Sequence, residues 1–404
     1  MKSEQPPRCV ACKGSKNLCG EKCRYLSKVN LQNMDSIGEE LYGSSPPAVF
    51  VGRYGYPKVN LGPMLPVDSD KAEIMDSSED WFGMGLEDLV SMRSSLVRSN
   101  FSSHISKERW KDNLLDITQE VAMSDKPVDT EVRFKKSPKP TINLDAYVQP
   151  SGPVADIEDA EITENPSVPR NVEYLVGDDD VRAQTAIKEL YEKGASIDQE
   201  IRLLSAGLLG QERRRKLVPT RWSITAVDSN VGNELIDKLK DFQQLGEVMA
   251  GYTEYMDNRC IVLMIPDAWS FEFVEIFLSG SLWSGGKKTI INDWEGYEGR
   301  TSYADTTAGA YYAARLVAAE RLIEEKRQAK VITIREIGEG YFIPLGVWIV
   351  RETMRKAAGN LKSFEDLEKA LEWASSKLKS SKRWEKRSEL LRRHKIQTKL
   401  SEFY

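Results

Sequence analysis

Residues 217–242 read LVPTRWSITAVDSNVGNELIDKLKDF, and how this stretch is divided decides the fold of the second half of the chain. Trp222, Ile224 and Ala226 alternate with their neighbours at the period of a strand with one buried face. Asp228 closes that strand, and Ser229 or Asn230 is placed to cap a helix carrying Val231, Leu235, Leu239 and Phe242. A strand that turns directly into a helix is a building block of sheets with helices packed on their faces. The junction, a strand end facing a helix N-terminus, is a candidate anion site, and the signal is weak because no glycine-rich phosphate loop accompanies it.

Outward from this stretch the same pattern continues. Residues 260–265, 271–277, 289–292 and 331–337 read as further strands, and Cys260 falls in the apolar run of the first of them as a buried strand residue. Residues 303–328 form a helix with two adjacent stripes, one of Tyr312, Leu316, Ala319 and Ile323, the other of Tyr311, Arg315, Ala318 and Leu322. Arg315 therefore lies inside an apolar face, where burial is costly unless a carboxylate pairs with it; Asp305 and Glu336 are the candidate partners. In residues 341–358, Pro344 stands near the first helical position, with Val347, Val350, Met354 and Ala358 as the core stripe. The fold class expected is α+β, with a mixed sheet flanked by helices over residues 181–376.

Upstream, residues 180–208 have helical pattern and lead to the basic run Arg213, Arg214, Arg215 and Lys216. Residues 47–66 read as an irregular hairpin, whose Arg53, Tyr54, Tyr56 and Lys58 either stack on and pair with nucleic acid or form a solvated edge. Helices at 86–97 and 108–121 and a strand near 132–134 complete an N-terminal α/β region over residues 31–150. Pro138, Pro140, Pro150, Pro153, Pro166 and Pro169, followed by acids through Asp178, Asp179 and Asp180, mark residues 151–180 as an acidic linker.

The two ends carry the sharpest motifs. Cys9, Cys12, Cys19 and Cys23 follow C-x2-C-x6-C-x3-C, four of the five cysteines within fifteen residues, which is a metal pattern and not a disulfide framework. A tetrahedral Zn2+ suits four thiolates, with an iron–sulfur cluster as the competing occupant. Arg8, Lys13, Lys16, Lys22, Arg24 and Lys28 surround the motif, so residues 1–30 form either a zinc-stapled knuckle or one that also meets phosphates. At the other end, residues 377–399 hold ten Lys or Arg against Glu385 and Glu389, and residues 377–404 are expected as a flexible basic tail. The tail finishes QTKLSEFY. Gln397, Leu400, Phe403 and Tyr404 stand where one helical turn gathers the apolar side chains into a plug with Gln397 at its rim, and they match the PCNA-interacting peptide Q-x-x-(aliphatic)-x-x-(aromatic)-(aromatic) at all four positions.

Composition bounds these readings. The chain has 404 residues, 40% hydrophobic and 29% charged, which is ordinary globular usage and enough for two domains. Its net charge of −5 means that any nucleic-acid contact comes from local basic patches. No run approaches the roughly 18 apolar residues of a membrane span, and residues 1–8 lack a signal-peptide hydrophobic stretch, so the expected location is cytoplasmic.

Taken together, the four-cysteine cluster, KLVPTRWSITAVDS, AARLVAAERL, REIGEGYFIPLGVWIVRE and the terminal peptide resemble the archaeal Nre family of DNA repair proteins, of the NreA type, over nearly the full length. The resemblance implies a partner in the PCNA sliding clamp, a zinc cluster at Cys9, Cys12, Cys19 and Cys23, and clamp docking through Gln397, Leu400, Phe403 and Tyr404. It carries over no catalytic residue.

Two functions are therefore open. The first is a DNA repair factor recruited to DNA by the clamp, nucleoid-associated when bound there. The second is a repair enzyme, a nuclease or a nucleotidyl- or ADP-ribosyl-type transferase, with a cleft among Arg221, Trp222, Asp228, Arg315 and Glu336, to which Glu320, Arg335, Arg351 and Glu352 are further candidates. A two-metal nuclease needs several converging carboxylates, and no compact motif supplies them. The chain has only His104 and His394, and with His394 in the tail only His104 is expected to reach a folded site.

Overall fold

A computed structural model of the chain describes residues 37–68, 70–106, 112–284 and 286–396, together with Cys12 and Leu18. Cys9, Cys19, Cys23 and residues 397–404 lie outside the described residues, and so do the zinc cluster and the clamp peptide expected there. The chain divides into two compact units. One takes in the described residues from Leu18 to Val231 with Pro344–Gly346; the other runs from Gly232 to Ile343 and from Val347 onward.

The N-terminal unit contains β1 (Glu40–Ser45), β2 (Val49–Val51), β3 (Lys58–Pro66), α1 (Leu86–Ser94), β4 (Leu96–His104), α2 (Asn113–Met123), β5 (Val128–Phe134), β6 (Val154–Ile162), α3 (Arg170–Gly177), α4 (Ala183–Glu192), α5 (Ile197–Ser205) and the first turns of α6 (Thr220–Leu239). Its sheet runs β1-β5-β6-β4-β3-β2, with β4 and β6 parallel and every other pair antiparallel. Val59, Leu61, Leu65, Val97, Val132 and Ile157 form its core with Leu115 of α2. Residues 151–180 are thus no linker, because β6 lies between β5 and β4. Its acids Asp156, Glu158, Asp159 and Glu161 are exposed while Ala155, Ile157 and Ala160 are buried, the parity shifting at the adjacent Glu158 and Asp159 where the pairing with β5 is irregular. The helix expected over 86–97 stops at Ser94. Ser94 and Ser95 hydroxyls bond back to the Ser91 and Met92 carbonyls at 2.9 and 2.8 Å, and Leu96 opens β4.

The largest correction falls on residues 217–242. Trp222, Ile224, Ala226 and Asp228 are not a strand but belong to α6, twenty residues long. Ile224, Val227 and Val231 are buried at helical spacing, whereas Trp222, expected on the buried face, is 46% exposed and Asp228, expected at an end, is 1% exposed.

The C-terminal unit holds β7 (Val248–Tyr255), β8 (Asn258–Ile265), β9 (Ser270–Phe277), β10 (Thr289–Glu295), α7 (Gly309–Glu325), β11 (Lys330–Ile337), α8 (Trp348–Gly359), β12 (Lys362–Phe364), α9 (Leu367–Ser376) and α10 (Glu389–Ile396). The four expected strands appear as β8 to β11. The sheet order is β10-β9-β11-β8-β7-β12, mixed because β9 and β11 are parallel. Ile261, Leu263, Val274 and Ile332 meet Ala370 and Leu371 of α9, Trp384, and Leu390 and Leu391 of α10. Val262 and Met264, of opposite parity on β8, are equally buried, and α8 packs on β7 and β8. A sheet covered on both faces explains why β8 reads as a continuous apolar run without alternation. Burial also pushes the Cys260 thiol up to about 12.

The expected flexible tail is also corrected up to Ile396. Trp384, Leu390 and Leu391 are in the core, and Glu272 of β9 accepts hydrogen bonds from the Glu389 and Leu390 amides at 2.8 and 3.0 Å, capping α10 from the sheet. The cations that dominate the composition lie between these anchors.

Candidate nucleic-acid interface

The turn between β2 and β3 projects aromatic rings into solvent. Gly55 takes φ +85°, a left-handed conformation that a side chain rarely adopts, and its carbonyl accepts the Lys58 amide at 2.9 Å. The tight turn that results leaves Tyr54 80% exposed and Tyr56 51% exposed. Beside it, Pro219 opens α6, accepting the Trp222 amide at 2.7 Å, and the Thr220 hydroxyl accepts the Val51 amide at 2.9 Å. That bond fixes the helix start against β2, and Trp222 packs on Tyr56 with ring centroids 5.5 Å apart and planes inclined by 57°. Large aromatic area left in water on a rigid frame needs a reason, because burying it would stabilise the chain.

Main-chain bonds lace the basic run to the same place. The Ile105 amide donates to Pro57 at 3.0 Å, the Leu217 amide donates to Ile105 at 2.9 Å, and Ser106 bridges Lys216. Arg53, Lys58, Arg213, Arg214 and Lys216 are exposed, and none forms an ion pair among the described residues. Arg215 differs: it is buried, donating to the Gly210 and Val176 carbonyls at 2.8 and 2.7 Å, and holds the run in place. Arg53 lies 5.1 Å from the Tyr54 ring centroid. Arg221 pairs with Asp145 at 3.1 Å and stacks on Tyr147 at 3.6 Å, while Arg98 stacks on Phe50 at 3.4 Å. Burial pulls Arg98 down to about 10, against the attraction of Asp145.

Phe50 and Thr220 also line a pocket of about 30 Å³, with Asp76, Arg93, Asp198 and Arg202 as its charged walls. Arg202 pairs with Asp76 at 2.9 Å, Arg93 with Asp76 at 3.5 Å, and Asp198 accepts the Ser78 amide at 2.9 Å. Burial raises the Asp76 carboxyl pKa against the pull of both arginines and lowers that of Arg93. The space is on the scale of one water molecule, and the network knits α1, α5 and the segment after β3.

The residues nominated for a cleft divide between the units: Arg221, Trp222 and Asp228 belong to the N-terminal one, Arg315 and Glu336 to the C-terminal one. Arg315 does carry a buried ion pair, but its partner is Glu295 at 2.7 Å, with Asn233 at 2.8 Å, in place of Asp305 or Glu336. Glu336 accepts the Lys379 and Ser380 amides at 2.8 and 2.7 Å. Arg335 pairs with Glu275 at 2.8 Å, and Arg355 bridges Glu320 and Glu352 at 2.7 and 2.9 Å. His394 is seated on the fold, 3.2 Å from the Lys330 ammonium and 3.6 Å from Asp267, and not in a tail. His104 accepts the Ser106 amide at 3.1 Å. Among the described residues no three His, Cys, Asp or Glu side chains gather as a metal site, and no helix is long and apolar enough to cross a membrane. The sequence singled out Trp222 but for a cleft. Only the exposure of its ring and the neighbouring Tyr56 reveal a surface role, and Phe50, Tyr147 and Asp145 carried no motif to find them by.

Two mixed six-stranded sheets, each with its own core, and an aromatic–cationic surface on the first unit define the class, an α+β protein of two sheet units. The chain belongs to the archaeal Nre family. Residues 18–284 match the archaeal Nre N-terminal family and residues 295–403 the archaeal Nre C-terminal family. The DNA repair protein NreB of Archaeoglobus fulgidus is 36% identical over 394 residues, covering 96% of this chain and 98% of that protein. The DNA repair protein NreA of the same organism is 36% identical, covering 93% and 95%, and the DNA repair protein NreA of Haloferax volcanii is 39% identical, covering 79% and 78%. No solved structure matches the chain.

Proposed function

We propose that the chain is a DNA repair factor recruited to DNA by a PCNA-type sliding clamp. The observation that carries the repair role is its nearly end-to-end similarity to proteins named DNA repair proteins. The clamp is argued from Gln397, Leu400, Phe403 and Tyr404, whose spacing suits a short plug for an apolar pocket. DNA contact is supported by the exposed rings and unpaired cations of the N-terminal unit. Cys9, Cys12, Cys19 and Cys23 supply four soft thiolates, a donor set that fits Zn2+, and elemental analysis should give about one zinc per chain.

Calorimetric titration of clamp into the wild type and into a Phe403→Ala, Tyr404→Ala double variant tests the recruitment. Buried aromatic anchors cost about 2 kcal/mol or more each when truncated, roughly thirtyfold per ring, although the two effects need not add. An unchanged circular dichroism spectrum with binding lost is the expected outcome. Undiminished affinity in the double variant would remove the clamp from this reading.

A further inference from the structure

We infer that the aromatic–cationic surface of the N-terminal unit is a platform for single-stranded DNA. Unpaired bases stack on Trp222 and on the tyrosines of the β2–β3 turn, while Arg53, Lys58, Arg213, Arg214 and Lys216 meet the phosphates. This rests on the DNA repair reading and adds the form of DNA and the place where it is held.

Three observations carry it. First, the surface offers flat ring faces, with Tyr54, Tyr56 and Trp222 all about half exposed or more. In a duplex the faces of the bases are occupied by their neighbours, so a duplex presents phosphates and groove edges, and an exposed ring has nothing there to stack on. An unpaired base of any identity can use it. Second, Arg53, Lys58, Arg213, Arg214 and Lys216 form no ion pair among the described residues, in a chain whose net charge is −5, whereas Arg221 beside Trp222 is paired with Asp145 and is left out of the phosphate contacts. That local surplus is complementary to a phosphate backbone. Protein–protein hot spots also use tryptophan and tyrosine, but their cores are depleted of lysine, and the rings sit in packed pockets and not on a projecting turn. Third, the platform is held before any ligand arrives. The Thr220–Val51, Pro57–Ile105 and Ile105–Leu217 hydrogen bonds tie the turn, the end of β4 and the start of α6 together. Pre-organisation of this kind lowers the ordering cost of binding.

Fluorescence anisotropy of the full-length protein with a labelled oligothymidylate and with a blunt duplex of equal length tests the inference. The single strand should bind at least about tenfold tighter than the duplex, and Trp222→Ala should weaken single-strand binding about tenfold, while Trp222→Phe, which keeps a ring face, retains most of it. Arg53→Gln with Lys58→Gln should reduce the slope of log affinity against log salt by about 0.7 per cation removed. Circular dichroism controls for folding, and the phenylalanine variant keeps the test valid if the alanine variant is unstable. Duplex binding as tight as single-strand binding, or a folded Trp222→Ala variant that binds like the wild type, overturns the platform while leaving a DNA repair factor that holds DNA elsewhere. A wild type that binds neither form overturns the platform and the direct DNA contact, while the repair role rests on the similarity and recruitment is tested by the clamp titration.

Discussion

Glu272 shows how one buried carboxylate organises the C-terminal unit. It is fully buried in β9 and accepts from the Asn292 side-chain amide at 2.7 Å, the Ser388 hydroxyl at 2.5 Å and the two leading amides of α10. Desolvation still raises its pKa, so four donors do not fully offset the loss of water. Glu272→Ala takes that acceptor from the Ser388 hydroxyl and the Glu389 and Leu390 amides, while Asn292 keeps the Arg387 carbonyl at 3.4 Å, and a loss of about 2 kcal/mol or more is expected in urea unfolding. Asp267 behaves in the opposite sense. The His394 imidazole and the Lys330 ammonium, 2.6 Å away, hold its carboxyl well below the ordinary 3.8. Because the unfolded chain takes up this proton first, the stability Asp267 contributes is present above its unfolded pKa and is lost as pH falls through 3.8 toward the depressed folded value. The Asp267→Asn variant should therefore show a flatter dependence of urea midpoint on pH than the wild type between about pH 7 and about pH 3. Equal slopes would show that Asp267 is not a source of acid sensitivity.

Elements were legible in the sequence where period and burial agree, and illegible where they part. Residues 260–265 and 331–337 are strands in any reading, because β8 carries an unbroken apolar run and β11 is rich in β-branched Val331, Ile332, Thr333, Ile334 and Ile337. In α6 the alternation of Trp222, Ile224 and Ala226 mimics a strand only because the exposed ring belongs to a surface and not to a core. In β6, exposed acids imitate a linker by composition. The pairing of β9 with β11 and the partner of Arg315 depend on long-range topology, which no local pattern encodes. Nor did any local pattern distinguish Gly251. It lies in β7 where α8 packs, and a Cβ placed there would overlap the Ala357 carbonyl oxygen and stand 3.1 Å from its carbon and 3.3 Å from the Asn360 carbonyl carbon. Backbone cannot move aside as a flexible side chain does. Gly251→Ala should push α8 off the sheet at a cost of about 1–3 kcal/mol, read as a lower urea midpoint. By contrast Gly246→Ala, where nothing stands within 4 Å, should leave the midpoint nearly unchanged.

At the scale of the whole chain, the C-terminal unit is closed by the segment that composition marks as a tail. Leu390 and Leu391 join the core of the sheet, Arg393 lies 4.1 Å from the Trp294 ring centroid and pairs with Glu389, and His394 meets Lys330, so the fold draws on the chain as far as the last turn of α10. The proposed clamp motif begins at Gln397, the residue after α10 ends. Folding and docking should therefore separate at this point. Ending the chain after Ile396 keeps every buried contact of α10 among the described residues and should leave the urea midpoint unchanged while abolishing clamp binding. Ending it after Arg387 removes Leu390 and Leu391 from the core and takes two amide donors from Glu272. Each lost leucine corresponds to about 2–5 kcal/mol by comparison with leucine-to-alanine changes in other cores, and the uncompensated carboxylate adds to that. A clear loss of stability in the longer deletion alone, measured by urea unfolding alongside calorimetric clamp titration, is the expected result. If the shorter deletion destabilises the protein as much as the longer one, the last eight residues belong to the fold, and docking through Phe403 and Tyr404 would have to compete with it.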